Sequence, residues 1–103
     1  MNAIAPRTLR EFWEKHDQAE VPLRVWLRAM QKASYANLND IRADFPTADL
    51  AKTDSGNMLT IFDIGGNNYR LMTFISYAAQ RVYIRHVMTH AEYAKWNNRG
   101  RPE

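Results

Sequence analysis

At 103 residues, with 46% hydrophobic and 24% charged side chains, the chain has the size and balance of one folded domain, spanning residues 1–103. It has no cysteine, no apolar run long enough for a bilayer and no signal-like start in MNAIAPRTLR, which argues against disulfides, thiolate metal sites and a membrane and favours a reducing cytoplasm. The net charge of +3 is modest, but residues 64–103 carry six Lys/Arg against only Glu92 and Glu103, so the excess lies in the C-terminal part.

Residues 1–5 read as a short edge strand or an ordered lead-in. Pro6 suits a first helical turn, and Leu9, Phe12, Trp13 and His16 follow as one helical stripe. His16 then sits at the C-terminus of that helix, where a cation meets the dipole favourably. After a break at Asp17-Gln18, a second helix starts near Pro22 with Leu23, Trp26, Leu27 and Met30 inward. Its Arg24, Arg28 and Lys32 form the opposite face, either solvated or a partner surface. So short a connection predicts a helical hairpin. Residues 37–45 read as a third, short helix, capped by Asn37 or Asn39 and stopped by Pro46. Residues 47–57 are turn-rich, with room for a short strand around Leu50-Ala51-Lys52.

Three strands follow. Met58–Ile64 is rich in β-branched and aromatic residues, and Gly65-Gly66-Asn67-Asn68 is a strong turn signal. Residues 69–77 and 81–88 repeat the pattern. With Tyr77 opposite Gln80, strict alternation puts Leu71, Thr73, Ile75, Val82, Ile84, His86 and Met88 on one face. The other face holds Arg70, Met72, Phe74, Ser76, Arg81, Tyr83 and Arg85. Thr89 and Glu92 form a capping-box pattern, so a short C-terminal helix starts at once. Residues 97–103, NNRGRPE, read as a frayed basic tail. The predicted class is α+β: a helical hairpin and a short helix on one face of an antiparallel meander, with the Arg70/Arg85 face uncovered.

That basic, aromatic face is the candidate site. His90 and Tyr93, three apart on a helix, project to one side, and Arg70 and Arg85 point to the same end of the sheet. Such a group suits metal-free RNA cleavage, in which the RNA's own 2′-OH attacks the phosphate. The protein then supplies an acid or base and fixed cations. Phe74 and Tyr83 are placed to stack unpaired bases. Each residue also has a plainer reading. Arg70 falls opposite Asp63 and can be half of a cross-strand ion pair; His90 can be an ordinary first-turn residue and Tyr93 a packing residue. His86 reads as a core histidine. His86, His90 and Glu92 make a poor zinc set across a strand-to-helix change, so no metal is expected.

The runs GGNNYRLMTFISY and VYIRHVMTHAEYAKW, with LREFWEKH and NLNDIRADFP earlier, resemble the HigB toxins of type II toxin–antitoxin systems, within the RelE/ParE-like superfamily. The resemblance covers nearly the whole chain. It implies a RelE-like fold, an endoribonuclease (mRNA interferase) acting in the A site of translating ribosomes, and no cofactor. It also implies a HigA-type helix-turn-helix antitoxin, and operator DNA bound only by the toxin–antitoxin complex. By position, Arg70 and Arg85 match the family's strand arginines, assigned to the phosphate, and His90 with Tyr93 the T-H-x-E-Y motif. His90 is the preferred acid or base, and Tyr93 orients the phosphate or stacks on a base. Lys52, Phe74, Arg81, Tyr83 and Lys95 are RNA-binding candidates. RelE-type relatives place lysines on the sheet, but none occurs here between Lys52 and Lys95, which shifts weight to His90. Asp63 stands where many members carry Asn. Two other readings use the same features: a non-catalytic RNA- or ribosome-binding module, and a ParE-type toxin acting on gyrase.

Overall fold

The structure, a computed structural model, describes residues 1–103. In chain order the elements are Asn2–Ile4 (β1), Arg7–Lys15 (α1), a 3-10 turn at Asp17–Ala19, Glu20–Lys32 (α2), Leu38–Asp44 (α3), Asp49–Lys52 (β2), Met58–Ile64 (β3), Tyr69–Ser76 (β4), Arg81–Thr89 (β5) and His90–Asn98 (α4). Gly65 and Gly66 both have positive φ, at 63° and 69°. That backbone region is open to glycine at little cost, and it closes the turn that sets Ile64 opposite Tyr69 and Asp63 opposite Arg70.

The strands form one sheet in the order β1-β5-β4-β3-β2. It is mixed, not a pure antiparallel meander, because β1 runs parallel to β5 along Arg81, Val82 and Tyr83. The expected alternation holds from the Ser76–Arg81 pair to the Thr73–Ile84 pair and then breaks. Met72 faces His86, leaving Arg85 as an extra residue, a β-bulge. Beyond it the inward parity flips. Val82 and Ile84 reach the main core before the bulge, and Val87 packs on that core after it. His86 is thereby exposed on the strand edge rather than buried as a core histidine, and Met88 packs on the opposite side of the sheet.

The main core lies between the sheet and α1, α2 and α3. Leu9, Leu23, Trp26, Met30 and Ile41 are buried there against Phe62, Leu71 and Val82. Trp26 and Phe45 both meet Phe62 edge-on, at 5.4 and 5.3 Å between ring centroids. The α3 cap is Asn37, whose side chain accepts from the Asp40 N–H at 3.0 Å. Pro22 falls in the first turn of α2, where its missing N–H removes no helical bond.

The second face is not left open. Trp96 of α4 is buried on Ala51, Leu59, Ile61 and Met72, and Phe74, Met88 and Tyr93 close round this smaller core. The residues read as a frayed tail are tied back to the β2–β3 loop. Trp96 Nε1 donates to Pro102 O at 2.7 Å, Asp54 N donates to Arg101 O at 3.0 Å, and the Glu103 carboxylate accepts from Thr53, Ser55 and Asn57. The Ser55, Asn57 and Thr53 hydrogen bonds hold that carboxyl below its ordinary pKa. No helix is long and apolar enough to cross a membrane.

Candidate active site

The start of α4 is set by a reciprocal cap. Thr89 Oγ1 accepts from Glu92 N at 3.2 Å, and Glu92 Oε1 accepts from Thr89 N at 2.9 Å. His90 is therefore the first helical residue, and its backbone N–H donates to Asn68 O at 3.0 Å, tying α4 to the β3–β4 turn. Tyr93 lies one turn on, half-buried and stacked on Trp96 at 5.7 Å.

Arg70 reaches both from the neighbouring strand. It is only 9% exposed, and its guanidinium is fully engaged. Nε lies 3.1 Å from Asp63 Oδ1. Nη1 donates to Asn67 O at 3.2 Å and Tyr69 O at 3.1 Å. Nη2 contacts Asn67 Oδ1 and, at 3.3 Å, His90 Nδ1. Cζ lies 5.6 Å from the Tyr93 ring centroid, within cation–π range. A guanidinium has five N–H groups, and all five have partners. The plain reading and the site reading of Arg70 therefore hold at once: it pairs with Asp63, and it also touches His90.

Arg70, His90 and Tyr93 thus stand together, but Arg85 does not join them. It is exposed on the bulge, with Cζ 5.8 Å from the Phe74 ring centroid. Phe74 is four residues along β4 from Arg70, or about 13 Å at the rise of a strand. In place of two arginines converging with His90 and Tyr93 at one end of the sheet, there is one clamped arginine beside them and one distant, open one. Phe74 and Tyr83 are cross-strand partners, half-buried, with ring centroids 6.2 Å apart and planes tilted by 45°. Arg81, two residues before Tyr83, lies exposed at the end of the same face. Lys52 does not belong to this surface. Ala51 is buried beneath Trp96, so alternation turns Lys52 to the opposite side.

Lys95 lines a groove of about 490 Å³ between α4 and β5, with Met88, Glu92, Asn98 and Arg99. Neither Lys95 nor Arg99 has an acidic side chain within ion-pair distance. Two contributors escaped the sequence reading. Asn67 is hidden inside a turn motif that accounts for it without any contact to Arg70, and Arg99 falls in what reads as tail. Desolvation by neighbouring atoms, though the side chain keeps contact with solvent at the strand edge, and then the adjacent Arg85 charge push the His86 imidazole below the ordinary histidine range. No three His, Asp or Glu side chains converge where they could hold a metal ion.

The chain belongs to the HigB toxin family, RelE-like toxic components of toxin–antitoxin systems, whose family model matches residues 19–96. Among individual proteins it is similar to the mRNA interferase toxin HigB of Escherichia coli K12, at 30% identity over 93 residues covering 90% of this chain and 88% of that one. It is likewise similar to the mRNA interferase HigB of Escherichia coli O6:H1, at 27% identity over 95 residues, 92% and 90% of the two chains. The mRNA interferase HigB of Shigella flexneri is 30% identical over 93 residues.

Proposed function

We propose that this toxin is an endoribonuclease that cuts mRNA on translating ribosomes in the cytoplasm, with a RelE-like fold and no metal. The observation that carries the reading is the His90–Tyr93–Arg70 cluster at the start of α4, with the cation Lys95 further along the same helix. The family description and the relatives' names, mRNA interferases, support the substrate class. In this reading the RNA lies on the α4 side of the sheet. Lys95, Arg99, Arg85 and Arg81 meet its backbone, and Phe74 and Tyr83 offer stacking surfaces. His90 and Tyr93 meet the scissile phosphate in the A site. The 2′-oxygen attacks phosphorus and gives up its proton to a base. The bond to the 5′-oxygen breaks and that oxygen takes up a proton, leaving a cyclic phosphate and a 5′-hydroxyl. A HigA-type antitoxin holds the enzyme inactive, and the two together bind their operator DNA.

Induced expression is expected to arrest growth and to cut transcripts within translated codons, leaving 5′-hydroxyl ends. Cleavage on purified ribosomes is expected to be unchanged by EDTA once the ribosomes' own magnesium requirement is met separately. Activity that disappears on chelation and returns with zinc would overturn the metal-free route. The full engagement of Arg70 favours, as a second reading, a module that binds RNA or the ribosome without cutting it. Growth arrest with intact transcripts would select that reading.

A further inference from the structure

We propose that Asn67 and Asp63, acting through Arg70, hold His90 as its Nε2–H tautomer, so that His90 serves as a hydrogen-bond donor to the phosphate and not as a proton carrier. The inference rests on His90 meeting the scissile phosphate, as proposed above. An arginine N–H can only donate. Its contact with His90 Nδ1 at 3.3 Å therefore calls for a lone pair on that nitrogen, which leaves the ring proton on Nε2.

The guanidinium has no freedom to turn away. Asp63 holds Nε, two backbone carbonyls hold Nη1, and Asn67 Oδ1 takes the remaining Nη2 proton. Rotation would strand several donors in a residue only 9% exposed, an unfavourable state for any buried polar group. The imidazole is also held from its own backbone, through the His90 N–H bond to Asn68 O and the Thr89 cap.

This arrangement conflicts with the acid–base role assigned to His90 from the sequence. To accept a proton at Nε2, the ring must carry its own proton on Nδ1, where it would meet an arginine N–H head-on. The Nε2–H instead suits a non-bridging oxygen of the phosphate, where negative charge builds as the 2′-oxygen attacks. Transfer of the 2′-hydroxyl proton, and of the proton reaching the 5′-oxygen, then falls to other groups. Asn67, Asp63 and Arg70 are positioning residues in this scheme.

Glutamine carries an amide N–H near the place of Nε2–H, whereas asparagine imitates only the Nδ1 side. Single-turnover cleavage of ribosome-bound mRNA would be measured for the wild type, His90→Gln, His90→Asn and His90→Ala. The asparagine and alanine variants are expected to lose about 10²–10³-fold, with glutamine retaining a rate within about tenfold of the wild type. Asn67→Ala is expected to slow the wild-type enzyme but not His90→Gln, which has no tautomer to fix. Glutamine falling as far as alanine would overturn the proposal. Ring-nitrogen NMR of the folded protein gives an arm independent of cleavage. It should find Nε2–H in the wild type and mixed tautomers in Asn67→Ala; Nδ1–H in the wild type would overturn the clamp. If the wild type cuts nothing, the nuclease reading fails on that result alone, and the NMR arm still decides whether the clamp exists.

Discussion

Trp96→Ala is expected to remove about 3–5 kcal/mol of folding stability, the usual range for deleting a buried tryptophan. Trp96 is 2% exposed and is the residue through which α4 lies on Ala51, Leu59, Ile61 and Met72. Its Nε1 also anchors the chain end at Pro102. Deleting the indole leaves a cavity in the smaller core, strands the Pro102 carbonyl and withdraws the ring on which Tyr93 stacks. A domain of this size has only about 5–15 kcal/mol in total, so the variant should be near its folding limit. Urea unfolding would measure the loss, and amide exchange should show α4 opening before the central strands. A loss below about 1 kcal/mol would mean that the sheet holds α4 by other contacts.

Arg70→Ala is expected to damage both stability and activity. Asp63 has a side chain 29% exposed and relies on Arg70 as its ion-pair partner. Breaking a buried pair costs about 3–5 kcal/mol, and partial exposure of Asp63 lowers that to about 2–3 kcal/mol. The same change frees the His90 ring and removes the cation beside Tyr93. Arg70→Lys separates the two effects. An ammonium can answer the Asp63 charge but cannot present a planar fork to Asp63, Asn67 and His90 together. Lysine should therefore recover part of the unfolding midpoint while cleavage stays low. Equal recovery of both would show that Arg70 contributes only charge.

The local elements were legible because their signals are local. The Thr89/Glu92 box, the Gly-Gly-Asn-Asn turn and the Asn37 cap each need only four residues, and each appears with the expected bonds. The faces of β5 were legible up to Ile84 and no further. A one-residue bulge at Arg85 leaves no mark in an apolar–polar pattern, yet it reverses every side chain after it. The parallel pairing of β1 depends on contacts some eighty positions away, beyond the reach of any local pattern. α4 buries essentially one large residue, Trp96, so it has no stripe to disclose which side of the sheet it covers. For the same reason the closeness of Arg70, His90 and Tyr93 could be read from hairpin register and the cap, whereas the separation of Arg85 could not.

In the proposed reaction His90, held at the start of α4 beside Arg70, meets a phosphate of ribosome-bound mRNA. Purified translating ribosomes, mixed in turn with the wild-type toxin and with a folded His90→Ala variant, test it directly by mapping new RNA ends. The wild type is expected to give 5′-hydroxyl ends within the codon in the A site, and His90→Ala at least a hundredfold fewer, by the usual weight of one such donor. Equal cleavage by the two proteins would contradict that role of His90.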